Sequence, residues 1–187
     1  MNVLTICGSL RKKSYNAALV RALPALVPEG MTLTAAPRVD TIPHYNHDDQ
    51  EATGFPPSVT AFADAIRAAD GVIIVSPEYN WTIPGTLKNA IDWVSRMKDQ
   101  PFKDKPVALQ SVSPALLGGS RMQYHLRQCL TSIDALIFGR PEVIVTFAPQ
   151  KFDEKTLELK DQTTRDMIKL QLAGFAQFIE RVGKPSP

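Results

Sequence analysis

The chain has 187 residues, 44% of them hydrophobic and 21% charged, with a formal net charge of +2. That composition is globular rather than disordered, and a domain of this size buries a substantial core without disulfides or a structural metal. So small a charge gives no footing for nucleic-acid binding, no apolar run reaches bilayer length, and no signal-type segment precedes the first strand-like run, so a soluble cytoplasmic protein is expected.

Strand-like and helix-like segments alternate along the sequence. Val3 to Cys7 reads as a buried strand, Tyr15 to Val27 as a helix with Ala18, Leu19, Ala22, Leu23 and Leu26 at helical spacing, and Met31 to Ala35 as a second strand. A long Pro-rich loop follows, then a helix from Ser58, as cap, to Ala69. Gly71 to Val75 is the clearest buried strand. A helix from Pro84 carries Leu87, Ala90, Ile91 and Val94 on one face. Pro106 to Val112 is a fourth strand, Ser120 to Ser132 a helix, Glu142 to Phe147 a fifth strand and Thr163 to Val182 a closing helix. Strands separated by helices imply a single α/β domain over residues 1–187, with a parallel sheet sandwiched between helical layers. Ligands of such folds sit beyond the carboxyl ends of the strands, which directs attention to the loops after strands one, three and four.

The first of these loops is GSLRKKSYN, residues 8–16. Ser9, Arg11, Ser14 and Asn16 put side-chain donors in front of a helix N-terminus, whose amides and dipole favour an anion. The alternative is a capped helix preceded by solvated cations. A Walker loop and a dinucleotide fingerprint both fail, because the loop has one glycine and no Gly-Lys-Ser/Thr ending. A tyrosine phosphatase loop comes nearer, running from Cys7 to Ser14, but Lys13 stands where a forked arginine is needed and no Asp-Pro acid occurs in the chain. The second loop, SPEYNWTIPG, combines a rigid backbone with two aromatics, a carboxylate and an amide, suiting either a planar ring or a plain strand-to-helix turn. The third, SVSPALLGGSR, joins hydroxyls to a glycine pair. Cys7 and Cys129 fit no disulfide framework or zinc spacing and read as small buried residues. His44, His47, Asp48 and Asp49 read as a solvated loop rather than a metal site.

Taken together, GSLRKKSYN, SPEYNWTIPGTLKNAIDWVSR and GGSRMQYHLRQ resemble the NADPH-dependent FMN reductases, and among them the bacterial chromate and quinone reductases. The resemblance implies a flavodoxin-like sandwich with a five-stranded parallel sheet in the order 2-1-3-4-5. It assigns Ser9, Arg11, Ser14, Tyr15 and Asn16 to the FMN phosphate and its ribityl approach. Pro77, Glu78, Tyr79 and Asn80 are assigned to the isoalloxazine, and Ser111, Ser113, Gly118 and Gly119 to its pyrimidine side. Pro114 and Ala115 depart from the glycine-rich path common among close relatives. Arg121, Tyr124 and Glu142 match residues that bond across subunits of a homotetramer, a dimer of dimers. Trp81 replaces a common tyrosine, and Arg96 either borders the same substrate entrance or is a solvated cation at a helix end. No catalytic side chain and no metal are implied: hydride passes from NADH or NADPH to flavin N5, then electrons to quinones, chromate or other metal or azo acceptors. The rival is a flavodoxin-like electron carrier without turnover, a class usually strongly acidic, unlike this chain.

Overall fold

GVIIV, a glycine followed by four β-branched apolar residues in a row, forms β3 (Gly71–Val75), buried along its whole length at the middle of a parallel sheet. The computed structural model describes residues 1–183. Its other strands are β1 (Asn2–Cys7), β2 (Thr32–Ala35), β4 (Pro106–Val112), β5 (Leu136–Ile137) and β6 (Val143–Val145). Their order is β2-β1-β3-β4-β5, as expected, with β6 also paired to β4. The expected fifth strand, 142–147, is β6, shortened to Val143–Val145, and β5 is a further short piece ahead of it. β5 pairs with Pro106 and Val107, and β6 with Gln110 to Val112. Gly139 and Pro141 separate them, and proline has no N–H to offer a ladder. Instead Gln171 donates to the Pro141 carbonyl at 2.9 Å.

The helices are α1 (Tyr15–Ala22), α2 (His47–Thr53), α3 (Pro57–Arg67), α4 (Gly85–Val94), α5 (Ser120–Thr131), α6 (Ala148–Lys151) and α7 (Gln162–Val182). Three expectations need correction. Pro24 stops α1 early and turns residues 23–25 into a 3-10 turn, since proline cannot supply the helical hydrogen bond. Residues 47–53, expected as loop, form α2, capped by Asn46 accepting from the Asp48 amide. Pro56, not Ser58, occupies the N-cap of α3, because Pro57 is preorganised for the first helical position.

Alternate residues of each strand face opposite layers. Leu4, Ile6, Val72, Ile74, Val107 and Leu109 pack with Phe62, Leu87 and Leu126 of α3, α4 and α5. Val3, Ile73, Val75 and Ala108 pack with Leu19 of α1 and Leu172 and Phe175 of α7. Phe62 and Phe175 are fully buried, so truncating either to alanine would cost about 3–5 kcal/mol. Register brings Cys7 level with Val75, and Val75 level with Gln110, so the loops after β1, β3 and β4 emerge side by side.

Candidate functional site

Loop one leaves β1 by crossing the end of β3. A Cβ on Gly8 would lie 2.4 Å from Ser76 Oγ, so only glycine passes there. Ser14 then caps α1, its Oγ accepting from the Ala17 amide at 3.3 Å. The backbone amides of residues 9–16 have no hydrogen-bond acceptor among the described residues. Arg11 is exposed, with Nη2 donating to the Lys13 carbonyl at 3.4 Å. Ser9, Arg11, Ser14 and Tyr15 line a cleft of about 130 Å³ whose far wall is Pro77, Glu78, Tyr79 and Ser113. Asn16 also borders it, but its amide is committed elsewhere: Nδ2 donates to the Val112 carbonyl at 2.9 Å and Oδ1 accepts from the Val112 amide at 3.0 Å. This residue locks loop one to the end of β4. The Tyr15 ring packs 5.3 Å from that of Phe152.

Loop two turns through Asn80 and Trp81, both left-handed with φ of 48° and 70°. Tyr79 and Thr82 exchange backbone hydrogen bonds of 3.1 and 3.0 Å around them, which is the type I′ geometry of a tight hairpin. Asparagine tolerates that conformation; tryptophan does so at a cost. Trp81 is 67% exposed, and the Arg121 guanidinium lies 4.0 Å above its ring. Arg121 also donates to Glu78 Oε1 at 3.4 Å, while Glu78 Oε2 accepts from the Met122 amide at 3.2 Å. Glu78 thus supplies an acceptor to the first turn of α5, whose own N-cap, Gly119, has no side chain.

In loop three Gly118 and Gly119 have φ of 60° and 94°. A Cβ on Gly119 would lie 2.8 Å from that of Ser111, so this glycine lets α5 start against the sheet. Ser111 lies beneath the loop, fully buried, its Oγ accepting from Gln123 Nε2 at 2.8 Å. Ser113 borders the cleft and accepts from the Ala115 amide at 3.1 Å, which shapes the turn carrying Pro114.

Nine expected cofactor residues therefore border one cleft: Ser9, Arg11, Ser14, Tyr15, Asn16, Pro77, Glu78, Tyr79 and Ser113. Asn80, Ser111, Gly118 and Gly119 stand behind or beside it. Arg96 is elsewhere, over the Tyr45 ring at 5.3 Å in a groove between α4 and α5. Glu142 pairs with Arg127 at 3.1 Å inside the chain, and Tyr124 faces outward. Sequence reasoning missed Gln123, which ties α5 to β4 and β6, and the Thr82–His125 contact of 2.9 Å, which ties loop two to α5. No sequence signal joins positions so far apart.

Both cysteines are partly exposed rather than buried. Burial still pushes the Cys7 thiol up, and its Sγ donates to the Ser9 carbonyl at 3.6 Å, opposite to what a thiolate nucleophile requires. Open amides, the Ser9 hydroxyl and the Arg11 guanidinium suit a phosphate, and the Pro77–Tyr79 wall suits a flat ring. The donor set fits FMN.

The profile of the family described as NADPH-dependent FMN reductase matches residues 1–150. The chain is 48% identical to a quinone reductase of Escherichia coli strain K12, with 97% of each chain covered. It is 43% identical to an NAD(P)H-dependent FMN reductase of Pseudomonas aeruginosa, again over 97% of each. Among solved structures, the flavoenzyme NAD(P)H:(acceptor) oxidoreductase from Paracoccus denitrificans superposes with a TM-score of 0.85 at 31% identity, over 96% of this chain and 97% of that one. With its sheet order, its three converging loops and these likenesses in agreement, the chain belongs to the NADPH-dependent FMN reductase family.

Proposed function

We propose that this protein, as one FMN-binding domain, oxidises NADH or NADPH and passes the electrons to quinones, with chromate and other metal or azo compounds as further acceptors. The observation that carries the reading is the cleft where loop one, with its unbonded amides, faces the Pro77–Tyr79 wall. FMN, when bound, supplies the hydride and electron chemistry. The chain's residues bind and orient. Ser9, Arg11, Ser14 and the amides of residues 9–16 hold the phosphate end. Pro77, Glu78 and Tyr79 present backbone to the ring, and Glu78 fixes that backbone by its bond to α5. Trp81 and Arg121, stacked at the outer edge, flank the approach of donor and acceptor. One open face serving both substrates in turn predicts ping-pong kinetics.

A homotetramer meeting through α5 is part of the same proposal. Its support is Tyr124, facing outward on α5, together with Leu116, 67% exposed in the loop just before that helix. Light scattering of the purified protein tests it.

The deciding experiment is flavin loading followed by NAD(P)H oxidation with a benzoquinone acceptor. Stoichiometric FMN and quinone-dependent turnover are expected. Protein that gains no flavin absorbance overturns the reading; FMN binding without turnover favours an electron carrier.

A further inference from the structure

On the other side of loop one lies a larger cavity that this function does not use. It opens between the carboxyl ends of β1 and β2 and has a volume of about 370 Å³, against about 130 Å³ for the cleft described above. Small side chains create it: Ala17 of α1, with Ala35 and Ala36 at the end of β2, stand where larger residues would close the gap.

Charge and shape both single this cavity out. Arg11, Lys12, Arg21 and Arg38 contribute to its lining, which contains no aspartate or glutamate. Asp40, outside the lining, binds the Arg38 Nε at 2.9 Å and its Nη2 at 2.5 Å, leaving Nη1 unengaged by it. Three further cations remain without an ion pair among the described residues. Cations gathered around a low-dielectric recess repel one another and concentrate anions. Leu10, Val20 and Val39 add apolar wall, so the recess offers more than a seat for a bare ion. Its volume falls in the range of small-molecule sites, roughly 300–1,000 Å³.

We propose that the cavity between β1 and β2 is a second ligand site, taking an organic phosphate of nucleotide size. The phosphate is held by Arg21, Arg38 and Lys12, and the organic body lies on Leu10, Val20 and Val39. Ser9 and Arg11 border both this cavity and the cleft on the far side of loop one. A ligand here therefore competes for the Arg11 guanidinium, and occupancy of one side alters affinity on the other by the same factor in both directions.

The test is calorimetric titration of ADP into FMN-saturated protein at constant ionic strength, so that the flavin site is filled throughout. Arg38 is on an exposed loop, so Arg38→Ala keeps the fold; Arg21→Ala, on the exposed side of α1, is the second variant. Expected is one binding event that each variant weakens about tenfold or more, the scale of a charge-assisted hydrogen bond. Cys7, which lines the cavity, localises it: bound ADP slows alkylation of Cys7 by iodoacetamide while Cys129 reacts as before. The proposal is overturned by absence of ADP binding at millimolar concentration, by unchanged affinity in both variants, or by equal slowing of both cysteines. Binding of inorganic phosphate without ADP also overturns it, because the recess would then serve only a bare ion.

Discussion

Glu78, in the loop after β3, accepts a hydrogen bond of 3.2 Å from the amide of Met122, in the first turn of α5. One carboxylate thereby fixes the backbone of a loop and the start of a helix 44 residues away. Glu78→Ala leaves that amide unpaired and is expected to cost about 1 kcal/mol, as loss of an N-cap does, while weakening FMN binding severalfold. Glu78→Gln keeps an acceptor and is expected to retain most of both. Urea denaturation and flavin fluorescence titration check the pair; equal behaviour of the two variants would contradict the capping role.

Asn16 is the corresponding clamp between loop one and β4. Its replacement by alanine strands the amide and carbonyl of buried Val112, at an expected cost of about 2–4 kcal/mol. Asn16→Asp should be no better, since aspartate cannot donate to the carbonyl and adds a buried charge. Thermal unfolding of both variants measures this. An aspartate variant as stable as wild type would show that the amide contact does not form.

Gly119→Ala forces a side chain into a left-handed position, 2.8 Å from Ser111. Strain of that kind costs about 1–3 kcal/mol. A lowered unfolding midpoint with reduced FMN affinity is expected, because the start of α5 must shift off Ser111, beside the cleft. An unshifted midpoint would mean that the loop adopts another path.

Trp81 invites the opposite substitution. Trp81→Gly relieves a left-handed tryptophan, worth about 1 kcal/mol, and loses an exposed cation–π stack worth about 0.5–1 kcal/mol. Stability should therefore change little. The quinone KM should rise severalfold while flavin affinity holds. An unchanged KM would remove Trp81 from the entrance.

Asp161 supplies a pH-dependent contribution. Its Oδ2 accepts from Thr164 Oγ1 at 2.6 Å and from the Thr164 amide at 2.8 Å, capping α7. The hydroxyl first, then the amide, hold its carboxyl below the usual range. A depressed folded pKa contributes stability above the unfolded value of about 3.9, and that contribution is lost as pH falls through the folded value. Asp161→Ala should cost about 1 kcal/mol at neutral pH, the gap to wild type closing in acid. Asp161→Asn should cap without the acid dependence. Denaturation at neutral and acid pH compares all three, and a constant gap for Asp161→Ala would refute the assignment.

The sequence by itself determined the layers and the loops that matter. Buried strand runs and helical spacing are local properties, and local properties can be read along a chain. The second edge piece, β5, escaped because two residues carry no period. Helix α2 escaped because a short polar segment among prolines looks like loop.

At the site, residue types were legible and their roles were not. Asn16 and Ser111 were expected to face the cofactor; tertiary packing spends the amide of one on Val112 and the hydroxyl of the other on Gln123. Arg96 stacks over Tyr45, a contact that its spacing along the sequence does not announce. Whether a polar group meets a ligand or a neighbour depends on which partners long-range contacts bring within hydrogen-bond reach, because a buried donor takes an acceptor wherever one lies. Only the folded chain decides those partners. It also decides that the cations of loop one, α1 and the β2 end surround a single empty-walled recess, a grouping that spacing along the sequence does not reveal.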